Sequence, residues 1–550
     1  MRPSLIARAS RRQFFQSIVL GGALAIRGSA ADAPPAAGQS GMISSAHPLA
    51  TEAGLATLRL GGNAFDAAVV VASMLNVVEP ENSGVGGYGL ILLYDARKGQ
   101  VRTLNASGRI PKAADPEAYR DPATRRGGIL VSTPVNLRAW EAMSRAYGQL
   151  PWKTVLQSAI DTADRGFELL RPIPADAFKH FPDHAKAFYG REGKPLAKGD
   201  RLVQRDLARS LRMIAAGGAD VFHGGALGQE IATELMKTGS FVTLKDLAAG
   251  TPEWFEESAI EYRGYRIVTP PPPANSFTAL IRLGILSQWD LKSMNLDSAA
   301  YWHRWAEVTK HGEWCRLKYA GDPDVAPPPL PRLLSSAYWK EQAARIPEDK
   351  ASEFVPPAAP GAESANTTHF VVADKFGNVV SATQTLGHTF GSRVMARGTG
   401  IWLNDSLSYS TFFPPGNPMD VHPGRRKLNS NTPMFAMKDG RPWIVLGASG
   451  GHTIPQTVPQ VASFIIDHGL DIGQALAAPR IEFSSESGKL GVDKALPEKI
   501  REELKERGHR VDVQDFSRVQ GLTIEYDPAG KPRAFQGAAD PRGLGSAKGY

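Results

Sequence analysis

Apolar residues recur at three- and four-residue spacing from Ala50 to Leu60, and the Gly61-Gly62 pair ends the amphipathic helix this spacing predicts. Ala64 to Val77 is apolar on nearly every face and predicts a second, more deeply buried helix. The run L-I-L-L-Y-D from Leu90 reads as a buried strand closed by a turn at A-R-K-G-Q. Helical spacing returns over residues 137–166, 204–236 and 297–320, while proline clusters at 269–276 and 326–331 interrupt the chain without ending a domain. Beyond Thr367 the period changes. T-T-H-F-V-V-A-D, a turn at K-F-G-N and V-V-S-A-T-Q-T-L predict a hairpin, and R-P-W-I-V-L-G-A-S predicts another buried strand. Sheets covered by helices, of α/β or α+β class, are the expected architecture.

Composition adds a globular balance, with 42% apolar and 21% charged residues in 550, enough for one large enzyme-like unit or several domains. The net charge of +8 suggests a polyanion until its origin is located. Five arginines and no acids lie in residues 1–31, so the rest of the chain carries only +3 and argues against a nucleic-acid partner. That segment places S-R-R-Q-F-F before an apolar run from Ile18 to Ile26 and small residues at Ser29 to Ala31. The run is too short to span a bilayer. Residues 1–31 therefore read as a twin-arginine signal, which predicts export to the periplasm or beyond, with residues 32–40 as a loose linker. The single Cys315 has no intrachain partner and reads as a packing residue.

Three stretches carry candidate chemistry. S-G-V-G-G-Y-G (Ser83 to Gly89) looks like a phosphate loop, but its glycines precede a strand, the reverse of a dinucleotide fingerprint, so tight backbone packing is expected and no cofactor. G-A-S-G-G (Gly447 to Gly451) satisfies the G-x-S-x-G pattern of a serine elbow, with Asp471 or Asp493 and His509 in the right chain order; Pro455 and Pro459 stand against the helix an elbow needs. The third is Asn366-Thr367. A threonine hydroxyl is a weak nucleophile, but if the peptide before it is cut its own α-amine, with a reference pKa of about 8, becomes a built-in base. No histidine or metal is then required. The same hydroxyl makes the cut by attacking the Asn366 carbonyl, and the Pro/Ala/Gly-rich run at 353–365 suits an end that must leave the site. An ordinary strand start with threonine at β-favouring positions is the competing reading.

These residues resemble the γ-glutamyltransferases, N-terminal-threonine hydrolases that cleave themselves into two subunits. The resemblance runs from about Gly41 to Tyr550 through H-P-L-A-T-E-A-G, L-G-G-N-A-F-D-A-A-V, E-P-E-N-S-G-V-G-G-Y-G, T-P-P-P-P, N-T-T-H-F-V-V-A-D-K-F-G-N-V-V-S-A-T-Q-T-L, G-A-S-G-G and A-A-P-R-I. It implies a four-layer αββα sandwich of α+β class, a large subunit over 41–366, and a small subunit over 367–550 headed by the nucleophile Thr367. It further implies that Thr385 tunes that nucleophile, that the amides of Gly450 and Gly451 form an oxyanion hole, and that Asn429 and Ser430 occupy the place of a serine pair holding a substrate carboxylate.

The sequence departs from the family where substrate is gripped. Gly387 stands for an asparagine, Ser406 for a glutamine, and Tyr409 for the aspartate that pairs with the glutamyl α-amine. Ser107 takes the place of the arginine clamp, leaving Arg109, two residues on, or Arg393 as the alternative cation. The expectation is an exported, self-processing amidohydrolase acting on a small-molecule amide, glutathione or another γ-glutamyl amide, with hydrolysis favoured over transfer. The alternatives are an acylase for glutaryl-like or oxamate-like amides, a serine hydrolase using Ser449, and a noncatalytic periplasmic binding protein. No metal is expected.

Overall fold

The computed structural model describes residues 34–358, 366–412 and 415–550. The signal segment, and residues 359–365 of the run before Asn366, lie outside them.

Two seven-stranded sheets lie face to face. One runs, in spatial order, Ser546–Gly549, Gly41–Ser45, Thr368–Asp374, Val379–Thr385, Tyr88–Asp95, Gln100–Asn105 and Glu253–Phe255. The other runs Ala36–Gly38, Pro532–Ala539, Arg518–Tyr526, Arg441–Ser449, Met434–Lys438, Tyr265–Thr269 and Ser258–Tyr262. Period-two alternation decides what each face meets. Along the first central strand Phe370 and Val372 join the core packed against helices Pro48–Arg59 and Ala64–Val78, while Val371 and Ala373 face the opposite sheet with Phe435, Val445 and Leu522. A third core packs helices Phe277–Leu286, Ala299–Tyr319 and Ile454–His468 onto the outer face of the second sheet. The result is the four-layer αββα sandwich of α+β class.

The expected elements form with informative differences. The buried helix Ala64–Val78 is capped by Asn63, whose side chain accepts from Phe65 N and Asp66 N while Asp66 returns the bond to Asn63 N. Such a cap contributes about 1 kcal/mol. The helical stretches at 137–166 and 204–236 each divide, at Gly148–Pro151 and around Gly218, because both turns need backbone that a helix does not supply. Residues 36–38 of the expected linker form an edge strand instead, pairing with residues 535–537. Small side chains at Ala36, Ala37 and Gly38 let that backbone dock, and a Cβ on Gly38 would stand 2.5 Å from Gly41 O.

The helix after Ser449, which the prolines argued against, also forms. Pro455 sits in its first turn, where no amide bond is required. Pro459 removes the amide that would bond the Pro455 carbonyl, and the fully buried Arg282 donates to that carbonyl instead at 3.3 Å. A long-range side chain thus repairs a local fault that sequence reasoning counted against the helix.

Candidate active site

Thr367 stands at the head of the central strand Thr368–Asp374 and is 6% exposed. Its hydroxyl donates to the carbonyl oxygen of Asn366, the residue before it. The Thr385 hydroxyl, at the end of the paired strand, donates to the same carbonyl at 3.0 Å and lies 3.3 Å from Thr367 Oγ1, while Gly387 N donates to Thr385 Oγ1 at 2.9 Å. Antiparallel register produces this meeting, since Thr368 pairs with Gln384. The Asn366 side chain donates to Thr389 Oγ1. His369 is turned between the sheets, bonded to Thr383 Oγ1 at 2.7 Å, and burial pushes its pKa down to about 3, so it is neutral. Two hydroxyls therefore converge on the carbonyl at the predicted junction, and among the described residues no imidazole is bonded to them.

The strand that leads to the glycine pair packs against the central strands of the other sheet. Ser381, in the row of Val371, donates to Leu446 O at 2.9 Å, and one row nearer Thr367 a Cβ on Gly447 would meet the His369 ring at 2.1 Å. Strand Arg441–Ser449 then leads directly into Gly450 and Gly451. Gly450 has φ 138° and a Cβ there would stand 2.3 Å from Ser517 Oγ. The loop Ser83 to Gly89 serves close packing, as expected: a Cβ on Gly87 would lie 2.4 Å from Thr385 O.

The residues expected to recognise substrate separate into two groups. Asn429 donates to Ser107 Oγ at 2.7 Å, so two positions far apart in sequence meet, and Ser430 Oγ accepts from Asn275 at 3.2 Å. Arg109 turns to Glu253 at 2.8 Å and Gly424 O at 3.1 Å and is half exposed. Ser406 is fully buried and donates to Ser132 Oγ at 2.5 Å. The Tyr409 ring stacks on His388 with centroids 5.9 Å apart. His388 in turn pairs with Asp405 at 2.7 Å; burial opposes its charge, but the Asp405 bond and charge outweigh that and raise its pKa. His388, Asp405 and Arg393 line a cavity of about 800 Å³ beside this wall.

The model of the γ-glutamyltranspeptidases matches residues 50–550. The chain belongs to the γ-glutamyltranspeptidase family. It is 33% identical over 539 residues to the glutathione hydrolase proenzyme of Escherichia coli K12, covering 93% of this chain and 92% of that one. It is 37% identical over 519 residues to the acylase ACY 1 proenzyme of Pseudomonas sp. SE83, covering 90% and 91%. The solved cephalosporin acylase of Bacillus halodurans superposes with a TM-score of 0.84 at 29% identity over 94% of this chain and 97% of that one. These γ-glutamyltranspeptidase relatives are enzymes, and two of the three are proenzymes by name.

Within this family frame the serine reading loses its partners. Ser449 Oγ donates weakly to Arg518 O at 3.4 Å. Asp471 caps helix Ile472–Ala477, Asp493 pairs with Arg542, and His509 bonds to His303, so none of the supposed triad members reaches it. Cys315 is buried, and burial raises its thiol pKa to about 12, in keeping with a packing role. Among the described residues His303, Glu307 and His509 have the closeness of metal ligands, but the two histidines bond each other at 2.9 Å and Lys310 holds Glu307 at 2.8 Å. No helix among the described residues is long and apolar enough to cross a membrane.

Sequence reasoning passed over Tyr88, Asp405 and Lys427. Tyr88 pairs across the sheet with Thr385 and its phenol interacts with the Thr385 and Tyr409 side chains. Lys427 is 2% exposed. Its place two residues before Asn429 was the available signal, but a lysine in a basic run (G-R-R-K) reads as surface charge.

Proposed function

We propose that this γ-glutamyltranspeptidase-family chain is a self-processing amidohydrolase in which Thr367 is first the agent of its own release and then the nucleophile. The observation that carries the reading is the bonding of both the Thr367 and Thr385 hydroxyls to the Asn366 carbonyl. Attack by Thr367 Oγ1 on that carbonyl carbon forms an ester as the C–N bond breaks, and the hydroxyl proton passes to the departing amine. Water then hydrolyses the ester, leaving a carboxylate on Asn366 and a free Thr367 as the first residue of a small subunit, 367–550, alongside a large subunit ending at 366. In turnover the Thr367 amine accepts the hydroxyl proton, the amide substrate is acylated onto Oγ1 with loss of its amine, and water frees the acid. The Gly450 and Gly451 amides serve as donors to the developing oxyanion; losing one such donor typically costs about a hundredfold or more.

The acyl group is a carboxylated one without an α-amine, as an acylase would take, in preference to γ-glutamyl, and water is favoured as acceptor. What supports this is the wall itself: Tyr409 stands for the family's aspartate, Arg109 is held by Glu253, and Asn429 and Ser430 remain as neutral hydrogen-bonding groups. The N-terminal twin-arginine segment supports export.

The test is the mass and N-terminal sequence of the purified protein, with Thr367→Ala beside it. Two fragments, the smaller beginning at Thr367, are expected, and the variant remains one chain without turnover. A stable full-length wild type, or hydrolysis by Thr367→Ala, overturns the mechanism. A clear preference for γ-glutamyl anilide over glutaryl anilide overturns the choice of acyl group.

A further inference from the structure

The Lys427 ammonium lies in an unusual setting. It sits 3.9 Å from the centroid of the Tyr88 ring and 4.7 Å from that of Tyr409, with the residue 2% exposed. Among the described residues it forms no hydrogen bond and has no carboxylate within ion-pair distance. The charge of Asp405 favours the ammonium, but that carboxylate is already bonded to the ring and amide of His388. Two π faces attract a cation but leave its three N–H donors unmet. Burying an ammonium in this way is unfavourable unless a partner arrives, and burial accordingly pushes its pKa well below that of an ordinary lysine.

Its position says where the partner comes from. Tyr88 is the cross-strand neighbour of Thr385, which lies 3.3 Å from Thr367 Oγ1. The ammonium is therefore one tyrosine ring beyond the hydroxyl pair, on the wall that carries Tyr409. Neighbouring Arg426 is engaged by Glu253, Asp322 and Asp324, and Arg109 by Glu253, so of these three basic residues Lys427 alone lacks a carboxylate.

We infer that Lys427 forms a carboxylate-binding subsite, pairing with an acid carried on the acyl side of the scissile amide at the end of a short aliphatic chain, as in a succinyl or glutaryl group. This rests on Thr367 being the nucleophile. The tyrosines hold the ammonium in place before substrate arrives, so little side-chain freedom is lost on binding. An α-ammonium next to the same carbon chain meets a like charge at this wall, which sharpens the discrimination against γ-glutamyl groups.

The test compares processed wild type with Lys427→Met, which keeps the aliphatic stem and drops the charge. The ratio of kcat/KM for glutaryl p-nitroanilide to that for valeryl p-nitroanilide is expected to fall about a hundredfold, mostly through KM, as for truncating one partner of a buried charge pair. Calorimetric titration with glutarate is expected to show binding to wild type and none to the variant. The melting temperature is expected to hold or rise, because an apolar side chain replaces a buried charge without a carboxylate partner. An unchanged ratio, glutarate binding equal in both proteins, or no binding in either overturns the assignment. Should Lys427→Met fail to fold, Lys427→Gln and the charge-keeping Lys427→Arg decide it by the same ratio and titration. Failure of self-cleavage would count against Thr367 alone, since the glutarate titration needs no turnover.

Discussion

The hydroxyl end of the central strands and the wall beside it are built by different means. Thr367, Thr385 and the Gly450–Gly451 turn are positioned by backbone: strand register sets the hydroxyls 3.3 Å apart, and the glycines lie where a Cβ on Gly450 would collide with Ser517. The wall consists of side chains from distant loops, Ser107 against Asn429, Arg109 against Glu253, and Lys427 between Tyr88 and Tyr409. The strand ladder fixes the backbone beneath the two hydroxyls of the first region. The second can change partners by single substitutions while the sheets stay in place, and relatives of this one sandwich carry the names of a glutathione hydrolase and of acylases.

Perturbing each region separately tests that division. The largest effect is expected from Gly450→Ala, which adds a Cβ 2.3 Å from Ser517 Oγ at φ 138°. Turnover of every amide should fall about a hundredfold or more whatever its acyl group, because the amides proposed as oxyanion donors move; a loss confined to one substrate would place Gly450 in recognition instead.

Next comes Gly387→Asn, which installs the asparagine that the resemblance to the family leads one to expect there. At φ 105° its Cβ would stand 1.9 Å from Asp405 Oδ1, so the asparagine displaces the carboxylate that holds His388. A loss of about 1–3 kcal/mol in unfolding free energy is expected from the backbone strain, read by denaturant titration. A stable variant with improved γ-glutamyl turnover would show that the wall reverts more easily than its packing allows.

The smallest effect is expected from Arg109→Met. The guanidinium is 46% exposed, and Glu253 keeps Arg426 at 2.8 Å when Arg109 is gone. Stability should change by under about 1 kcal/mol and KM for a carboxylated anilide by less than about threefold. A large rise in KM would return Arg109 to the substrate and weaken the case for Lys427.

The hairpin from Thr368 to Thr385, the capped helix after Gly62 and the abrupt change at Asn366-Thr367 were legible in the sequence, because each is local: periodicity, a cap or a turn lies within a few residues of what it controls. The edge strand at Ala36–Gly38 was not legible, since its partner lies some 500 residues on. Nor was the helix carrying Pro459, whose missing bond is supplied by Arg282 from another helix.

For the site, the sequence by itself determined which residue heads the central strand and which hydroxyls and glycines accompany it. Those groups act through backbone position, and backbone position follows from strand pattern and register. Only the tertiary structure decided which of the nearby cations is left without a carboxylate partner. Arg109, Arg426 and Lys427 are alike as letters, and what separates them is that acidic residues reach the two arginines while tyrosine faces surround the lysine. Charge is a property of the residue, but its availability depends on what the fold packs against it.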